Sequence, residues 1–185
     1  MLKSVVLVAA LMLGLAACGN DAPAAAPSTD DTSVAPAPTS APSEKSQEPP
    51  VPTKLEFTAK TVRGSAFDGA ALAGKDSVLW FWAPWCTECR REAPYVAKSQ
   101  SENADVVFVG VAGLGETKAM RDFVKDYRVG AFEHLSDLDG SLWKHFGVVQ
   151  QPAYAFIDDT GKVEVVRGEL GEDGIAKRVD TLTSN

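Results

Sequence analysis

The chain predicts an α/β domain: a central mixed sheet with helices on both faces, preceded by a small N-terminal β-hairpin. Three observations predict it. Two apolar runs, residues 78–83 and 105–112, are each followed by a segment of helical spacing. The turn sequence Asp158-Asp159-Thr160-Gly161 joins two further apolar stretches. Residues 54–185 form one stretch long enough to bury a sizeable core.

Residues 55–57 and 59–62 alternate weakly and lead through Arg63-Gly64-Ser65 to Ala66-Phe67-Asp68-Gly69, which reads as the hairpin. Residues 78–83 are continuously apolar, as a strand buried on both faces requires. The next segment, residues 87–101, reads as a helix with Pro94 inside it, where a lost hydrogen bond predicts a kink. Residues 105–112 form a second buried strand. Ala119, Met120, Phe123, Val124 and Tyr127 then mark one face of a helix over 117–127. A short helix is expected over 142–146. Strands over 153–157 and 163–166 pair as an antiparallel hairpin across the Asp-Asp-Thr-Gly turn, and a helix over 172–182 closes the chain.

The N-terminal third has a different character. Lys3, an apolar run over residues 5–15 and small residues ending at Cys18 describe a secretory signal over residues 1–17, too short to serve as a spanning helix with its flanks. Leu15-Ala16-Ala17-Cys18 resembles the bacterial lipoprotein box, whose Cys receives a lipid and becomes the new N-terminus; an ordinary signal peptide with an incidental Cys is the alternative. Two acyl chains on Cys18 would anchor the protein stably where one would not. Residues 18–53 carry eight of the eleven prolines and no aromatic residue, the composition of a disordered tether reaching on the order of 100 Å. Removing residues 1–17 takes away only Lys3, so the formal charge moves from −7 to −8. That acidity, with no basic stripe, argues against nucleic acid. Nothing in the sequence calls for a cofactor.

Trp85-Cys86-Thr87-Glu88-Cys89 stands between the first buried strand and its helix. A Cys at a helix start meets unpaired N–H groups and the positive end of the helix dipole, which favour a thiolate. The second Cys, one turn on, is close enough to close a disulfide. If Cys18 carries lipid, Cys86 and Cys89 are the only remaining pair of the three cysteines, in an oxidising compartment. This is the arrangement for thiol–disulfide exchange. A structural disulfide is one alternative. A copper or zinc site using His134 or His145 is another, though no His lies at a spacing that pairs it locally with a thiol.

The order of elements, with Phe81-Trp82-Ala83-Pro84-Trp85-Cys86-x-x-Cys89 after the first core strand, resembles the thioredoxin fold, and more closely the extracytoplasmic TlpA/ResA/DsbE family. Residues 146–158, with Gln150-Gln151-Pro152-Ala153-Tyr154, match that family's second landmark. Together with Leu79-Trp80-Phe81-Trp82 they look most like the DsbF-type lipoproteins of actinobacteria. The resemblance implies a membrane-anchored, extracytoplasmic thiol–disulfide oxidoreductase that forms disulfides in exported cysteine-containing proteins. A membrane redox partner would recycle the pair. ResA- and DsbE-type relatives imply the rival, a reductase for apocytochrome c or for repair, and a copper-delivery module is the rival of another class. A peroxide-reducing relative would have Thr three residues before its Cys, where this chain has Ala83.

Cys86 is expected to be the exposed nucleophile and Cys89 the resolving thiol. The resemblance implies a cis bond before Pro152, with the backbone at Gln151 facing Cys86 to receive substrate. It also implies a rim position for Trp85 and a CxxCxxE carboxylate at Glu92. Glu92 follows Cys89 by three residues, so it lies on the same side of the helix, where it would take and return the Cys89 proton, tuning the chemistry rather than holding the fold. A solvated helix-face Glu is the alternative. Trp82 reads as core. Trp80 occupies the position where ordinary thioredoxins bury an Asp. Glu88, beside Cys86, would raise the thiol pKa and push the pair toward a reductant.

Overall fold

β3 (Ser77–Trp82) organises the domain: all six of its residues are buried in the computed structural model, which describes residues 51–184. Parallel to it lies β4 (Val107–Gly113), and parallel to β4 lies β5 (Glu133–Asp137). On the other side β6 (Ala153–Ile157) runs antiparallel, followed by antiparallel β7 (Val163–Arg167), giving the order β5-β4-β3-β6-β7. β1 (Thr58–Lys60) and β2 (Ala66–Asp68) form a separate antiparallel pair. The helices are α1 (Thr87–Glu102), α2 (Thr117–Asp126), α3 (Ser141–Phe146) and α4 (Gly171–Thr183).

Strand alternation divides the core into two layers. Val78, Trp80 and Trp82 face one way, onto Ala93 and Val96 of α1, Met120 and Phe123 of α2, and Ile175 and Val179 of α4. Leu79 and Phe81 face the other way, onto Leu142, Trp143 and Phe146 of α3 and onto Leu55. The ring of Trp82 stacks on Phe123 at 4.2 Å, and Phe81 meets Phe146 at 5.6 Å. Among the described residues no helix is long and apolar enough to cross a membrane.

One expectation needs correction. Residues 55–57 are not a strand: Thr53–Leu55 form a 3-10 turn, because Leu55 is drawn fully into the second core layer. Val51 packs on that layer, and Pro52 lies against Gly161. Glu133–Asp137, a segment to which the sequence assigns no element, is an edge strand. The signal segment, Cys18 and the tether through residue 50 lie outside the described residues. Pro94 sits within α1 without ending it.

The edge strand places a polar group in the core. His134 is buried against Gly110, where any Cβ would collide with its ring. The Trp82 indole N–H donates to His134 Nδ1 at 3.2 Å, and His134 Nε2 lies 2.8 Å from the Val129 carbonyl. A carbonyl only accepts and an indole N–H only donates, so the ring is neutral with its proton on Nε2. Burial holds its pKa down to about 4, aided by the Arg63 charge and opposed by the Val129 bond. The folded pKa lies below the ordinary value, so the unfolded chain binds the extra proton first and stability falls as pH drops from about 6.5 toward 4. Urea unfolding of the wild type against His134→Gln should show a His134-specific loss of roughly 2.5 kcal/mol between pH 7 and 4.5. Parallel losses in the two proteins would contradict it.

Candidate active site

β3 ends at Trp82, and the chain turns through Ala83, Pro84 and Trp85 into α1. Cys86 is the residue before the first helical position, with extended backbone, and its sulfur accepts the Cys89 N–H at 3.0 Å. A sulfur in that position is bathed in the unpaired N–H groups of the helix start. Cys86 and Cys89 form a disulfide, with their Cα atoms 5.3 Å apart. Cys86 is 2% exposed and Cys89 0%. The expectation of an exposed Cys86 is thus corrected for the disulfide form: the sulfur that caps the helix turns inward over its first turn. Cys86 is still the more accessible of the two, since Cys89 lies a turn deeper.

Trp85 is 56% exposed beside it, and its indole N–H donates to the Leu114 carbonyl at 2.7 Å. Leu114 has φ of +55°, a conformation costly for a bulky side chain, and is itself exposed; Gly115 packs closely on Pro84. The loop after β4 is therefore latched onto the cysteine motif. Glu88 Oε2 lies 4.0 Å from Cys86 Sγ, and the Arg91 guanidinium lies 3.6 Å from Glu88 and 2.7 Å from Glu169. The Glu88 charge is consequently shared with a cation and with solvent, which limits its push on the thiol.

The Gln151–Pro152 bond is cis. Ladder pairing of β6 with β3 stops at Ala153 opposite Phe81, and the Pro152 carbonyl accepts the Gly168 N–H at 2.8 Å. The Gln151 N–H and C=O have no backbone partner among the described residues. They mark the open end of the strand next to the cysteine turn.

Glu92 is 2% exposed, which rules out the solvated helix-face alternative. Its Oε1 accepts the Gly171 N–H at 2.8 Å, and its Oε2 accepts the Leu170 N–H at 3.1 Å and the Tyr154 hydroxyl. The carboxylate thus caps α4 from across the fold, where the helix dipole favours negative charge. Glu92 also ties α1 to β6 and α4, so the expectation that it leaves the fold alone needs correction. Trp80 is fully buried beside this cluster in sequence register with Tyr154, and its indole N–H has no partner among the described residues. Tyr154 escapes the sequence reading; its signal is a phenol on the buried face of a strand, which needs an acceptor. Both imidazoles are engaged elsewhere, His134 as described and His145 with the Lys54 carbonyl at 3.0 Å. Among the described residues no three His, Cys, Asp or Glu side chains gather as metal ligands would.

Residues 51–166 match the AhpC/TSA family model. The chain belongs to the AhpC/TSA family. It is 41% identical over 134 residues to the soluble secreted antigen MPT53 of Mycobacterium tuberculosis, covering 71% of this chain and 77% of that protein. It is also 33% identical over 125 residues to the thiol-disulfide oxidoreductase ResA of Bacillus subtilis, covering 64% of this chain and 68% of ResA. The structure of MTB dsbF in mixed oxidised and reduced forms is similar, with TM-score 0.71 and 52% identity, covering 72% of this chain and 99% of that one. Within the AhpC/TSA family this chain is a thiol–disulfide oxidoreductase of thioredoxin-like fold.

Proposed function

We propose that this chain is a lipid-anchored, extracytoplasmic thiol oxidase that donates the Cys86–Cys89 disulfide to exported proteins. The observation that carries the reading is a disulfide whose outer sulfur caps α1 just after β3, whose antiparallel neighbour β6 opens at the cis Gln151–Pro152 bond, where Gln151 has no backbone partner among the described residues. A substrate lies against Trp85, Gln151 and Pro152, and its thiolate attacks Cys86 Sγ. The S–S bond breaks, the electron pair leaves on Cys89 Sγ, and a mixed disulfide joins substrate to Cys86. The substrate's second thiolate then attacks its own bridged sulfur and expels Cys86 as a thiolate, which the helix start stabilises. Two substrate thiols become one disulfide and the cysteine pair gains two electrons. A membrane redox partner takes those electrons back, and Glu92 accepts the Cys89 proton as that thiol closes the disulfide again.

Support for the direction is the similarity to MTB dsbF; support for an extracytoplasmic site is the signal-like N-terminus and the secreted relative. Glu88 beside Cys86 favours a second reading, a reductase of the kind ResA-like proteins suggest. Equilibration of the full chain with glutathione buffers separates them. An oxidase has a potential above that of the glutathione couple and is reduced by it, whereas a reductase stays oxidised in the same buffers.

Anchoring rests on Cys18. Cys18→Ala should give a protein released from membranes or left unprocessed, with the exchange rate of residues 54–185 unchanged. Mass spectrometry of the mature wild-type N-terminus should find two or more acyl chains; a lipid-free N-terminus would rule the anchor out.

A further inference from the structure

Tyr154 makes the only side-chain hydrogen bond to Glu92 among the described residues. It is fully buried on β6, two residues after Pro152, with its ring stacked on Phe156 and paired in register with Trp80 of β3. Its hydroxyl therefore reaches from the strand that begins beside the cysteine turn to the helix that carries the cysteines. Burial, reinforced by the Glu92 charge, raises the phenol well above its usual range, so Tyr154 is a permanent donor.

The surrounding charges are few. At the start of α1, Cys89 lies one turn and Cys86 two turns before Glu92, with Glu88 near Cys86, and Arg91 directed away to Glu169 at 2.7 Å. The start of α4 brings Glu169 and Glu172, the latter paired with Lys98 at 2.5 Å, together with the two backbone N–H groups on Glu92. β3 presents Trp80, which does not titrate, and β6 presents Tyr154 alone.

We propose that Tyr154 is a positioning residue of the redox centre: its O–H holds the Glu92 carboxylate fixed on the Cys89 side of α1. Thiol reactivity is then set from the Pro152 strand as well as from the helix. This inference rests on the proton-accepting role given to Glu92 above. A negative charge one helical turn from Cys89 disfavours thiolates. Without the phenol donor the carboxylate loses its one side-chain tether among the described residues, its negative charge is no longer held toward Cys89, and thiolates form at lower pH.

The test is iodoacetamide alkylation of the reduced full chain across pH for wild type, Tyr154→Phe, Glu92→Gln and the double variant, with folding checked by circular dichroism. Tyr154→Phe keeps the stacked ring. It should move the alkylation midpoint to lower pH and speed alkylation about threefold below the midpoint, in the same direction as Glu92→Gln. In the Glu92→Gln background it should add nothing. A superimposable Tyr154→Phe profile, or an equal shift in both backgrounds, overturns the inference while leaving Glu92 its role. An unchanged Glu92→Gln profile removes the Glu92 role itself. Should Tyr154→Phe fail to fold, 3-fluorotyrosine at position 154 keeps the packing and strengthens the donor. The midpoint should then move to higher pH, and no movement overturns the inference.

Discussion

Cys86→Ser abolishes thiol–disulfide exchange, a loss on the order of a thousandfold or more, because a hydroxyl can neither form the mixed disulfide nor leave as a stabilised anion. Cys89→Ser behaves differently. It leaves Cys86 at the start of α1 with the backbone N–H of residue 89 still directed at its sulfur, so Cys86 remains reactive. A substrate joined to it then lacks the Cys89 thiol that would displace it and leaves only through its own second thiol, so the adduct persists. Non-reducing gels of cell extracts should show substrate adducts on Cys89→Ser and none on Cys86→Ser. Accumulation on Cys86→Ser instead would reverse the roles. The geometry gives the asymmetry its cause: Cys89 lies a turn inside the helix and is wholly covered, whereas Cys86 adjoins exposed Trp85.

The second large effect is on stability. Glu92→Ala strips the acceptor from the Tyr154 hydroxyl and from the N–H groups of Leu170 and Gly171 at once. Buried donors left without partners cost about 1–3 kcal/mol each, and water can reach the half-buried end of α4, so a net loss of roughly 3–4 kcal/mol is expected. Glu92→Gln keeps one acceptor oxygen and should lose less than half of that. Urea unfolding at neutral pH measures both. A Glu92→Ala loss under about 1 kcal/mol would mean that the three donors find other partners and that Glu92 does not tie α1 to α4.

The strands that organise the sheet were legible because burial on both faces leaves an unbroken apolar run, as at 78–83, and because a turn such as Asp158–Gly161 announces its hairpin. The cysteine motif was legible for the same reason: its chemistry depends on a strand-to-helix junction that the neighbouring residues declare. β5 was hidden because Glu133-His134-Leu135-Ser136-Asp137 offers one aliphatic residue. Its polar side chains are satisfied by tertiary partners: His134 by Trp82 and Val129, and Asp137 by the N–H groups of Leu142 and Trp143 at the start of α3. The glycine at 110, inside a strand, was the available sign of a close neighbour. Glu92 could be placed on the Cys89 side of its helix by spacing alone. Its three donors come from residues 154, 170 and 171, contacts across the fold that no local pattern reports.

The central claim, transfer of the Cys86–Cys89 disulfide to an unfolded polypeptide, is tested most directly by mixing the disulfide form of the full chain with a reduced exported protein that carries one cysteine pair. Acid-quenched samples are thiol-labelled and weighed by mass spectrometry. One substrate disulfide should appear for each Cys86–Cys89 pair that becomes reduced, with a transient adduct through Cys86. A substrate that stays reduced, or an oxidised substrate that the reduced chain opens instead, would contradict it.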